Sequence, residues 1–278
     1  LLGVDLDDAG NTYAVGYTNT QFPKIPGSYD TGYNWFKSVF NAFYLKINNK
    51  GDSLCFFNYI GGKSITSSAS FISINKKGEA VITGFGNKGF PITPGAFDST
   101  LGNGSIVSVF NNRGDSLKFS TRFPGVLDRR VAIILESGDV ITAGYSFGNI
   151  PMFSNSYQKT ISGGNYDAFI ARIKFDGKSL INATYLGGSS DDFIWDIAIN
   201  IKEDVYVVGS TKSHDFPVAA SNNTFKNFHG GVYDGFLTKL DSKLSKVIFS
   251  NLIGGKGDEE IQSVFVNSNE DIYIAGNS

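Results

Sequence analysis

The sequence predicts an all-β chain, a β-propeller built of four-stranded antiparallel blades. Three observations predict it. One strand-like segment recurs five times at a long period, turn signals recur in phase with it, and no segment shows the 3.6-residue spacing of an amphipathic helix. The recurring segment reads Asn11-Thr12-Tyr13-Ala14-Val15-Gly16, Glu79-Ala80-Val81-Ile82-Thr83-Gly84, Asp139-Val140-Ile141-Thr142-Ala143-Gly144, Asp204-Val205-Tyr206-Val207-Val208-Gly209 and Asp271-Ile272-Tyr273-Ile274-Ala275-Gly276. Its closing glycines stand 68, 60, 65 and 67 residues apart. That period exceeds the roughly 40–45 residues of a WD-type repeat.

Other signals keep phase. Phe22-Pro23, Phe90-Pro91, Ile150-Pro151 and Phe216-Pro217 follow the glycine. Asn41-Ala42-Phe43, Asp167-Ala168-Phe169 and Asp234-Gly235-Phe236 open another apolar run. Tyr59-Ile60-Gly61-Gly62, Tyr185-Leu186-Gly187-Gly188 and Leu252-Ile253-Gly254-Gly255 close a unit, and Phe123-Pro124-Gly125 stands there in the second. The last full unit therefore reads as strands over Asp196–Asn200, Val205–Ser210, Gly235–Leu240 and Val247–Ile253. Phe236, Thr238 and Leu240 alternate with Gly235, Leu237 and Lys239, the period of two that marks a strand. One such sheet cannot bury both faces alone, whereas sheets stacked about an axis bury them against one another. The blades are expected at about 1–62, 63–125, 126–188 and 189–255, with a partial one over 256–278, in a single domain.

Composition narrows the function classes. Of 278 residues 41% are hydrophobic and 18% charged, with 33 glycines, 24 phenylalanines and 13 tyrosines, which favours strands and turns. No run of eighteen apolar residues occurs, so no membrane-spanning helix is expected. A net charge of −2 leaves no basic stripe for phosphates, which argues against nucleic acid. Cys55 is the only cysteine, so no internal disulfide is possible, and it reads as a small apolar strand residue.

Several motifs in order resemble the SBBP repeat, a β-propeller repeat of bacterial proteins. Tyr185 to Asp192, Asn11 to Thr18, Phe90 to Phe97 and Asp167 to Ile173 carry the resemblance, which extends over nearly the whole chain. The second unit departs most, because Ser105 to Phe110 lacks the acidic-Ala-Phe opening. The resemblance implies seven blades and an extracellular or cell-surface setting. Val4 and Leu6 align with Ile197 and Ile199, and the chain stops inside a second strand, so four blades and half of a fifth are expected as a fragment of a longer, multidomain protein with one monomeric propeller.

If the first strand is innermost, the short Gly/Asn/Asp turns after strands one and three lie at one end. The long loop after strand two and the Gly-Gly-acidic turn into the next blade lie at the other. The recurring Phe-Pro loop is expected to fold back as a structural cap. The inner-strand positions Asp5, Ser73, Ile133, Ala198 and Phe265 share no charge, so they form no ion-binding ring. The pairs Asp191-Asp192 and Asp258-Glu259 are the candidates for calcium, set against a role as turn caps. Asp5 to Asn11 looks slightly like a calcium loop but lacks its fifth-position acid and closing glutamate. Ser28 to Trp35 resembles a sialidase Asp box that its sibling loops do not repeat. His214 and His229 share one loop without a third ligand pattern. Asn182-Ala183-Thr184 fits a glycosylation sequon, as do Asn103 and Asn222 with their neighbours.

The most distinctive loop carries Tyr33, Trp35 and Phe36, aromatic residues able to stack on a sugar or anchor a protein. No catalytic constellation stands out, and neither a cofactor nor a resident metal is expected. The expected function is a non-enzymatic extracellular scaffold or a protein- or glycan-binding surface. The alternative is the propeller part of a glycan-directed enzyme whose active site lies in other blades or another domain.

Overall fold

The computed structural model describes residues 1–22, 25–29, 40–61, 66–86, 89–99, 104–123, 131–219 and 230–278, and among them are eighteen strands and no helix. They are β1 (Gly3–Leu6), β2 (Thr12–Thr18), β3 (Asn41–Ile47), β4 (Leu54–Ile60), β5 (Ser68–Ile74), β6 (Ala80–Gly86), β7 (Gly104–Phe110), β8 (Leu117–Phe123) and β9 (Val131–Ile134). The rest are β10 (Val140–Ser146), β11 (Asp167–Ile173), β12 (Leu180–Leu186), β13 (Asp192–Ile199), β14 (Val205–Thr211), β15 (Asp234–Leu240), β16 (Val247–Ile253), β17 (Glu260–Val266) and β18 (Ile272–Asn277). Consecutive strands pair in chain order into four sheets of four strands and one of two. The fold is the all-β, propeller-like one expected, with four blades and part of a fifth.

The chain divides into two compact units, Leu1–Val140 with Ile173–Leu180, and Ile141–Arg172 with Ile181–Ser278. Within the first, β1 lies beside β5 and β5 beside β9; within the second, β13 lies beside β17. First strands thus neighbour first strands, as stacked blades require. Carboxylates tie them. Asp5 Oδ2 accepts the Ile74 amide at 2.7 Å, and Asp196 Oδ2 accepts the Val264 amide at 3.0 Å.

The cores lie between adjacent sheets. In the first unit Tyr13, Tyr44 and Phe56 of the first sheet meet Ile72, Ile82 and Phe110 of the second. In the second unit Tyr206, Val208 and Leu237 meet Ile261 and Val264. Each fully buried ring contributes about 2–3 kcal/mol of transfer free energy, so the interfaces, more than single sheets, hold the units together.

The closing glycine of the repeat has a steric cause. The first strand carries an extra residue against the second: Ser70 in β5, Trp195 in β13 and Gln262 in β17. The bulge presses a carbonyl onto the facing glycine. A Cβ on Gly84, Gly209 or Gly276 would collide with the carbonyl oxygen of Ser68, Phe193 or Glu260. The bulge also explains why β13 begins at Asp192 and not at Asp196, since it interrupts the alternation that the sequence displays.

The short turns reuse one device. Asn75, Asn200 and Asn267 each accept, through Oδ1, the amides two and four residues on. Asp7 takes that place in the first sheet, accepting the Ala9 and Asn11 amides at 3.1 and 2.9 Å. It also pairs with Lys46 at 3.1 Å. Burial pushes its carboxyl up, but these bonds outweigh that and hold it far below the usual carboxylate range. The calcium-loop likeness there is this turn.

The long loops fold back on their own sheets. Phe90, Ile150 and Phe216 are buried, and Phe216 stacks on Phe236 with centroids 4.5 Å apart. Phe22, half exposed, stacks on Phe57 at 4.6 Å. The hydroxyls of Tyr59 and Tyr185 accept the loop amides of Phe22 and Ile150 at 2.5 and 3.1 Å. Cys55 lies in β4 as expected but faces solvent. Asn182 is buried in β12, its amide donating to Lys243 O, so this sequon is closed to modification in the folded chain.

Candidate functional site

The Gly-Gly-acidic turns and the ends of the long loops meet in a repeated clasp. Asp191 Oδ1 accepts the amides of Asn165 and Tyr166 at 2.6 and 3.2 Å, and the Asp192 amide returns to Tyr166 O at 2.8 Å. One repeat on, Asp258 Oδ1 accepts the amides of Val232 and Tyr233 at 2.5 and 3.3 Å, and the Glu259 amide reaches Tyr233 O at 2.9 Å. The preceding Gly164 and Gly231 adopt φ of 64° and 65°, a left-handed conformation that turns successive amides toward one acceptor. In the turn from the first sheet into the second, Ser67 stands at the Asp192 position, and its hydroxyl accepts the Ala42 amide at 3.0 Å.

The carboxylates of the clasp face donors. Asp191 Oδ2 pairs with Lys212 at 3.2 Å. Burial raises the Asp191 carboxyl, yet the amides and Lys212 bring it below its ordinary value. Asp192 is fully buried and accepts the Gly188 amide at 2.8 Å, the Ser213 hydroxyl at 3.0 Å and the Thr211 hydroxyl. Donor-ringed oxygens suit an anion held by the chain better than a cation cage. Among the described residues, no three acidic, histidine or cysteine side chains gather into a group able to hold a metal ion.

Two of these acids are costly to ionise. Burial pushes Asp192 up to about 7 and Asp167 up to about 6, against 3.8 for an ordinary aspartate. Asp167 Oδ2 accepts the Ser162 amide at 2.8 Å and a bond from Gln158 Nε2 at 3.1 Å, while its buried Oδ1 has no hydrogen-bond partner among the described residues. Both flank Gly187, where an added Cβ would come within 3.0 Å of either carboxylate.

Removal of the Asp191 acceptor has a local signature. Asp191→Ala leaves the Asn165 and Tyr166 amides without their partner and is expected to cost about 2–3 kcal/mol. Hydrogen exchange at those two amides should accelerate well beyond that of β11 amides, and Asp191→Asn should restore most of the protection.

Beside this clasp lies an aromatic ledge that the sequence reading did not assemble. Tyr145, Phe147, Tyr166, Phe193, Trp195 and Tyr233 contact one another with centroids 4.8–6.3 Å apart. Phe193 and Trp195 stack within 9° of parallel, and Tyr145 stands edge-on to both. Trp195 Nε1 donates to Ser210 Oγ at 3.0 Å, and the Lys212 ammonium lies 4.9 Å from the Tyr233 ring centre. The rings are half-buried, and Phe147 is 49% exposed.

The repeat register shows how far this place departs from its siblings. Phe193 faces Ser210, just as Ser68 faces Phe85 and Glu260 faces Asn277. The extra residue of the bulge is Trp195 here, Ser70 in β5 and Gln262 in β17. Positions that are polar in β5 and β17 are therefore aromatic in β13. The signal was legible as Phe193 and Trp195 set two apart among polar siblings.

The aromatic candidates Tyr33, Trp35 and Phe36 lie outside the described residues, as do His229 and most of the Asp-box likeness. Of that box Tyr29 is placed, with its ring against Phe110 at 5.3 Å. His214 is exposed. Among the described residues no helix is long and apolar enough to cross a membrane.

Comparison with known proteins adds a family match. Residues 181–217 match the model described as SBBP, beta-propeller repeat. No curated protein matches the sequence. Among solved structures, the chain is similar to a protein of unknown function from Dyadobacter fermentans at 13% identity and a TM-score of 0.48, covering 99% of this chain and 74% of that one. The matched segment runs from β12 through β13 and β14 to Phe216-Pro217, and it contains the acidic pair of the clasp and the Phe193/Trp195 step. Residues 181–217 thus match an SBBP beta-propeller repeat, in a chain whose sheets repeat the same strand order.

Proposed function

We propose that this chain is a non-catalytic binding scaffold, working outside the cell, with its contact surface at the aromatic ledge of the long-loop end. One observation carries the reading. The bulge and the turn device recur from sheet to sheet, while Phe193 and Trp195 replace the polar residues of β5 and β17 with large rings that stay half-exposed. Packing needs no such substitution, because β5 and β17 form the same strand without it. Rigid aromatics at a surface are the usual anchors of recognition. The extracellular setting is supported by the family resemblance.

The test is capture on a mixed array of glycans, peptides and proteins. The wild-type chain should retain at least one ligand saturably, and Phe193→Ser with Trp195→Ser should lose it. The captured ligand should be recovered at unchanged mass, whereas cleavage would favour an enzyme acting on glycans. Equal capture by both chains would remove the ledge as the contact surface.

A further inference from the structure

Resting on that reading, we infer that the ledge takes a neutral oligosaccharide, its pyranose faces stacked on the rings and its hydroxyls held by the acidic rim. The rings are braced edge-to-face against one another, so little side-chain entropy is lost when a ligand arrives. An aromatic face is electron-rich, and the polarised C–H bonds on one face of a sugar ring complement it.

The rim selects among ligand classes. Asp258 is exposed and uses Oδ1 for the Val232 and Tyr233 amides, and its Oδ2 takes no hydrogen bond among the described residues. On the same turn as Asp191, Ser189 donates its amide and its hydroxyl to Asp215 Oδ1, both at 2.8 Å, and Asp215 is exposed. Open carboxylate oxygens seek donors, and neighbouring sugar hydroxyls supply them in pairs. Lys212, the cation beside the ledge, already pairs with Asp191. An extended proline-rich peptide presents carbonyl acceptors and few donors, so this rim suits it poorly. The negative charge of Asp215 and Asp258 disfavours sulfated or uronic chains.

The chain has two tryptophans, so Trp35→Phe leaves Trp195 as the sole indole reporter. This variant is titrated with cellohexaose, xylohexaose, mannohexaose and chitohexaose, and separately with a heparin hexasaccharide and decaproline. At least one neutral hexasaccharide should change Trp195 emission saturably. Calorimetry should show binding about 30-fold weaker in Phe193→Ser, as loss of an interface anchor gives. Ser68 occupies the equivalent register in β5, so the variant should keep its far-UV spectrum and unfolding midpoint. Binding by decaproline or heparin alone, abolished by Phe193→Ser, would overturn the neutral sugar and keep the ledge as a binding surface. Sugar binding untouched by Phe193→Ser would overturn both readings, as would no binding by any of the six probes.

Discussion

Gly209→Val should destabilise the second unit by about 3 kcal/mol, against what strand propensity suggests. Valine in a strand is ordinarily worth up to about 1 kcal/mol over glycine. Here the added Cβ would run into the Phe193 carbonyl, a backbone atom fixed by the bulge at Trp195. A flexible side chain could swing away, but a backbone carbonyl can move only by breaking the β13–β14 ladder. The steric term therefore wins. Urea unfolding followed by circular dichroism should show the loss, and exchange should rise first at amides of β13 and β14. Gly104 in β7 is the control, since an added Cβ there meets nothing within 4 Å and Gly104→Ala should be near neutral. An unchanged midpoint for Gly209→Val would mean that the bulge relaxes freely.

Asp192→Asn should flatten the pH dependence of stability. Burial raises the folded-state value of Asp192 from 3.8 to about 7, so the folded chain binds its proton more tightly than the unfolded chain does. The stabilisation is fully present below about pH 4 and is lost as pH rises to about 7. A displacement from 3.8 to about 7 corresponds to something on the order of 4 kcal/mol across that window. Asp167, raised to about 6, adds a slope of the same sign. Wild-type stability should therefore fall from pH 4 to pH 7, and Asp192→Asn should remove the larger part of the fall. Asparagine keeps an acceptor for the Gly188 amide and offers a donor to the Thr211 hydroxyl, so at pH 8 the variant should be the more stable by about 2 kcal/mol. Parallel pH profiles for the two chains would show that Asp192 is already ionised without cost.

The strands were legible to within a residue or two where alternation is unbroken. Val205–Ser210, Gly235–Leu240 and Val247–Ile253 became Val205–Thr211, Asp234–Leu240 and Val247–Ile253. β13 was the exception, because Trp195 as an extra residue shifts the pattern of facing side chains by one. The clasp was half legible. The acids at Asp191 and Asp258 stood out, but their partners are main-chain amides, which leave no residue-type signature beyond the Gly-Gly pair. The ledge was not read at all. Tyr145, Tyr166 and Phe193 belong to different strands and loops, and only the pairing of those elements brings the rings together. Tyr33, Trp35 and Phe36, close together in sequence, give the stronger one-dimensional signal.

The clasp makes construction of the protein directional. The amides of Asn165 and Val232 find their acceptors 26 residues later, on Asp191 and Asp258. On a ribosome, where the amino-terminal part emerges first, each such loop must wait with unsatisfied donors until the opening of the following repeat is made. A nascent chain halted between the two would thus carry a well-formed inner hairpin and an unfastened rim, and its successor's first carboxylate would do the fastening.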